Sequence, residues 1–123
     1  MKITSTLSLA ALLLTSTATM ADCAKPEAPV LPEGATATME DMISGQTAVK
    51  SFQGANIEYM NCLEASFTAA EAEAMEGSDE EKAAATEIYE KAVDEYNSAV
   101  SKEEEVAGQF NSAIRDFKAA NPG

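Results

Sequence analysis

The chain has 123 residues with 8 Lys+Arg, 21 Asp+Glu and no His, giving a formal charge of −13 at pH 7. Such acidity excludes ordinary nucleic-acid binding and disfavours docking on anionic lipid, both of which need basic surface. With no His and no Trp, the chain also lacks the usual general base and the commonest metal ligand.

Residues 1–21 read as a secretory signal. Lys2 supplies the positive start, Leu7 to Leu14 the apolar stretch, and Thr15 to Ala21 a small-residue tail with Thr19 at the −3 position for cleavage after Ala21. The apolar stretch is too short to cross a bilayer. Asp22, ahead of Cys23, does not suit attachment of a lipid to that cysteine. The expectation is a soluble periplasmic (or secreted) protein with no membrane insertion after signal removal. Without Lys2 the remaining chain has seven basic residues against 21 acidic ones, a charge of −14.

Residues 22–37 hold Pro26, Pro29 and Pro32, three apart. Proline fixes its own φ and pushes the residue before it towards extended conformations, so this segment is expected to be an extended Pro-rich arm. Gly34 is the expected turn into the next element. Cys23 and Cys62 are the two cysteines, and in an exported chain the even count favours a disulfide. The residues between Cys23 and Thr38 can span the same length as a helix from Thr38 to Cys62. An arm pinned at both ends can therefore lie antiparallel along that helix, with Val30 and Leu31 in the groove.

The remainder, 38–123, is expected to be a helical hairpin, with a helix over 39–75, a turn at 76–78 and a helix over 79–119. Thr38 is a suitable N-cap, with Glu40 and Asp41 in the first turn. Met42, Val49, Phe52, Tyr59, Leu63 and Phe67 recur at helical spacing, flanked by Ile43 and Met60. Gly45 and Gly54 interrupt this helix as possible sites of bending or of close approach by the arm. Gly77-Ser78-Asp79 then breaks the pattern, and Ser78 with Glu81 forms a capping box. The second stripe includes Ile88, Tyr89, Ala92, Val93, Tyr96, Val100, Val106, Phe110, Ile114 and Phe117. The fold class is thus all-α, a long antiparallel two-helix hairpin of coiled-coil type. Its alanines allow close approach, and its Pro-rich arm is held by Cys23–Cys62.

Candidate chemistry along these helices is weak. The acidic run from Glu76 to Glu81 lacks the ligand spacing of a calcium loop and reads as a solvated helix start. Glu103 falls seven residues from both Tyr96 and Phe110, where a carboxylate either meets Lys or Asn of the other helix or faces water. Helical di-metal sites use Glu with His, which is absent. Met39, Met42 and Met60 could offer thioethers to copper(I), but core packing is the ordinary role of such residues. Tyr59, Tyr89 and Tyr96 read as edges of the seam. Asn56, Asn61, Asn97 and Asn111 read as solvent-facing amides, with register-fixing in the seam as the alternative. No serine has a partner base.

Taken together, Cys23-x-x-Pro26, Leu31-Pro32-x-Gly34, Glu40-x-Met42, Tyr59-x-x-Cys62-Leu63, Tyr96-Asn97 and Phe110-Asn111 resemble a group of small exported two-cysteine helical proteins of Gram-negative bacteria. No activity is assigned to that group, so the resemblance implies an address and a shape. The functional expectation is a non-enzymatic protein without a cofactor or metal that acts through a protein partner or self-association. The alternative is an acidic protein that binds cations or cationic ligands in the periplasm.

Overall fold

Local signals at both ends of two sequence stretches set the helices of the computed structural model, which describes residues 23–123. The expected signal segment, 1–21, lies outside the described residues. The first helix, α1 (Met39–Glu76), starts where the Thr38 hydroxyl accepts from the Asp41 N–H at 3.1 Å and the Asp41 carboxylate accepts from the Thr38 N–H at 2.8 Å. The second, α2 (Asp79–Ala120), opens on the same reciprocal box between Ser78 and Glu81. Each box satisfies donors that the first helical turn leaves without intrahelical partners. Gly77 ends α1 by donating to Glu73 O at 2.9 Å, and Asn121 ends α2 with its N–H and side-chain amide both on Phe117 O.

The two helices pack against each other. Asn56 meets Ala99, Tyr59 meets Glu95, and Phe67 meets Tyr89, so later residues of α1 contact earlier residues of α2. Buried positions on α1 recur three and four apart, at Met42, Gly45, Val49, Phe52, Asn56, Tyr59 and Leu63. On α2 the most regular buried line is Ala85, Ala92, Ala99, Val106 and Ala113, every seventh residue. Large side chains on α1 therefore face mostly methyl groups on α2, which lets the backbones approach closely. The main cluster joins Met42, Val49 and Phe52 to Val106, Phe110 and Ala113. A second joins Tyr59 and Leu63 to Ala99.

Cys23 and Cys62 form a disulfide with 5.6 Å between their Cα atoms, closing across 39 positions of sequence. Between Cys23 and the start of α1 the chain has no helix or strand, only a turn at 34–36 in which Thr36 and Ala37 donate to Glu33 O. Leu31 and Ala37 pack on the main cluster. Val30 does not: it is 97% exposed, which corrects the expectation that it lies in the groove beside Leu31. Leu31 points inward, and its neighbour in a non-helical chain points away. Among the described residues no helix is long and apolar enough to cross a membrane.

Candidate functional site

The helix pair has two long flanks, and they differ in chemistry. On one, residues 23–37 lie close. The disulfide joins this segment to α1 at Cys62, and Cys23 Sγ lies 4.0 Å from the Ser66 hydroxyl. A side chain at Gly45 would bring Cβ to 2.8 Å from Pro32 Cδ, so glycine is what allows the proline ring to approach. A Cβ on Gly34 would overlap the Ala113 carbonyl, which makes this second glycine the point where the segment crosses the end of α2.

The opposite flank is open. Of the exposed large apolar residues among those described, Met39, Ile43, Ile57, Tyr89 and Val100 belong to it, while Val30 and Met75 lie elsewhere. Stepping by sevens from Gln46 gives Gln53, Met60 and Phe67 on α1, and from Thr86 gives Val93, Val100, Ala107 and Ile114 on α2. None is charged. Helix positions turned from a packed face towards water ordinarily carry charged or polar residues, so an uncharged line there is a departure on a chain of net charge −13. The flank deepens near the start of α1 into a groove of about 380 Å³, lined by Met39, Ile43, Ile114, Phe117 and Lys118 among others.

A polar layer crosses the seam halfway along. Asn56, 2% exposed, donates through Nδ2 to the Ala99 carbonyl at 3.0 Å and to the Glu103 carboxylate at 3.3 Å. One turn on, the Tyr59 hydroxyl donates to Glu95 at 3.5 Å. Burial raises the Tyr59 hydroxyl above its ordinary pKa, and the negative charge of Glu95 raises it further. Phe67 stacks edge-on against both Tyr89 and Tyr96, with ring centroids 6.0 and 5.9 Å apart. These groups bind one helix to the other. Among the described residues no three His, Cys, Asp or Glu side chains converge to hold a metal ion.

The predicted seam residues separate into three groups. Met42, Val49, Phe52, Tyr59, Leu63 and Phe110 are buried. Phe67, Ile88, Tyr96, Ile114 and Phe117 are half-buried. Tyr89 and Val100 are 37% and 38% exposed, and Ala99 stands in the seam where Val100 was expected. One residue turns a helix by about 100°, so the two neighbours cannot share a face. The amide expectation is corrected at one of four positions: Asn61, Asn97 and Asn111 are exposed, but Asn56 is buried between the helices. Glu103 takes the first of its two expected roles, reaching an asparagine of the other helix. Gly45 admits the arm, as one of its two expected roles had it, but its place in the seam was missed, as were those of Ala70, Ala85, Ala99 and Ala113. The seven-residue alanine spacing on α2 is the signal that could have found the last three.

No family model, curated protein or solved structure matches the chain.

Proposed function

We propose that this chain is a non-enzymatic exported protein, periplasmic or secreted after loss of residues 1–21, that acts through protein contacts. In this reading α1 and α2 form an antiparallel coiled coil. An extended Pro-rich arm, fastened by Cys23–Cys62, covers one flank of it. The opposite flank is the contact surface. The observation that carries the reading is the concentration of Met39, Ile43, Ile57 and Val100, all more than a third exposed, on the flank that residues 23–37 do not cover. An apolar stripe wider than a two-helix seam needs a further helical surface to remove it from water.

The test is photo-crosslinking in a Gram-negative host that exports the chain. A photoreactive residue at position 100 should yield protein adducts, and one at position 101, on the outer face of α2, should yield few. The exported protein should begin at Asp22. Equal labelling from both positions, or retention of residues 1–21 in the cytoplasm, contradicts the proposal.

A further inference from the structure

We infer that the groove at the Met39 end of the open flank binds a free single-chain acid, an acyl chain with a carboxylate head. This site goes beyond the protein contact proposed around Val100, which stands fourteen residues, about 21 Å of helix, from Ile114. The first argument is the lining. Met39, Met42, Ile43, Phe110, Ile114 and Phe117 give apolar walls to a groove of about 380 Å³, within the size range of small-molecule sites. Met39 and Ile43 are 61% and 57% exposed, so these two walls meet water rather than protein. Two of the walls are methionines, whose flexible thioethers adapt to a chain of no fixed shape.

The second argument is charge. Lys118 is the one charged residue in the lining, and it has no ion pair among the described residues. Three other hollows each hold carboxylates: Glu33 and Asp41 beside the 23–37 segment, Glu73 and Glu81 at the hairpin tip, and Asp94 and Glu105 on α2. On a chain of net charge −13, a groove with a cation and no anion is the exception. A lysine in such a place lays its methylene stem along the apolar wall and carries its ammonium to the mouth. An acyl chain against the walls, with its carboxylate at the Lys118 ammonium, matches both the lining and the charge. One cation serves one head group, whereas an anionic bilayer would face the whole acidic surface. The occupant is therefore a single molecule and not a membrane.

Titration of monomeric sodium decanoate into the purified, disulfide-intact protein, followed by backbone amide shifts in NMR, tests this. Saturable binding of one molecule per chain, at about 1 mM or tighter, is expected, with shifts confined to the surroundings of Met39, Ile43, Ile114 and Lys118. Lys118→Met should weaken binding about threefold, the loss of one exposed charge pair. Ile43→Asp, at an exposed position outside the core, should weaken it by about tenfold or more. Ile57→Asp, two heptads along the same line of α1, should leave it unchanged. No binding at several millimolar, shifts spread evenly along the flank, or indifference to either Lys118→Met or Ile43→Asp overturns the inference. Protein adducts from a photoreactive residue at position 43 in the exporting host, with no decanoate bound in vitro, give the groove to a partner's side chain and overturn it too. Vesicles of anionic phospholipid should leave the protein in the supernatant on sedimentation, and cosedimentation overturns the assignment to a single molecule.

Discussion

Asn56 is the residue at which local chemistry and long-range register meet. Its side chain, inside the seam, ties the two helices together through Ala99 and Glu103. A buried amide costs desolvation and returns specificity, because only one sliding position of the helices satisfies it. Asn56→Asp keeps the shape, removes the donor and places a carboxylate against Glu103. Urea unfolding at neutral pH should show a loss of about 3 kcal/mol or more, the cost of an uncompensated buried charge. The deficit should shrink in acid, where the new carboxyl is protonated. Two glycines of α1 give a contrasting pair. A Cβ at Gly54 meets nothing within 4 Å, so Gly54→Ala should stabilise by about 1 kcal/mol through helix propensity alone. The same change at Gly45 drives Cβ into Pro32 and Phe110, and thermal unfolding should show destabilisation despite the equal propensity gain.

The two helices owe their limits to caps and their interface to a seven-residue repeat. Thr38→Ala and Ser78→Ala each remove a hydroxyl that accepts from the N3 backbone N–H, and each should cost about 1 kcal/mol in thermal unfolding. The Thr38 backbone N–H, then its hydroxyl, holds the Asp41 carboxyl below its ordinary pKa, and Ser78 does the same for Glu81. A carboxylate lowered in the folded state contributes stability above its unfolded pKa and loses it as pH falls through the folded value. Stability should therefore decline below about pH 4, and the cap variants should show less of that decline. Both caps were legible in the sequence, since Thr38-x-x-Asp41 and Ser78-x-x-Glu81 declare themselves by type and spacing. So were the large α1 seam residues, because Met42, Val49, Phe52 and Leu63 are bulky apolar side chains that recur at helical spacing. On α2 the seam is built mostly of alanine, and alanine is common on every side of that helix. Ala83, Ala84 and Ala85 are consecutive, yet Ala85 alone among them is buried. Val100 therefore drew attention to a face that the helix presents to water, while Ala99 beside it is buried.

At the scale of the whole molecule, the disulfide decides which flank is free. It fastens residues 23–37 against one side of the helix pair, beside Gly45 and Ser66, and leaves Ile43, Ile57 and Val100 uncovered on the other. Closing a loop across 39 positions stabilises the fold by roughly 4 kcal/mol in the chain-entropy model. Reduction should lower the urea midpoint accordingly and open Leu31 and the Cys62 side of α1 to solvent, visible as faster amide exchange there. The pairing itself was foreseeable from the even cysteine count and from chain lengths that match between Cys23–Thr38 and Thr38–Cys62. The asymmetry of the flanks was not, since it depends on the side of α1 from which Cys62 projects relative to a seam set by small residues.

The most direct measurement is hydroxyl-radical side-chain labelling of the disulfide-intact protein, purified and in a periplasmic extract of a host that exports it, read by mass spectrometry. Ile43, Ile57 and Val100 should be labelled in the purified protein and protected in the extract, while Leu63 stays protected and Val30 stays labelled in both. Labelling of Ile57 and Val100 that is equal in the two, or protection that appears instead at outer-face residues such as Met75, would contradict the assignment of the contact surface.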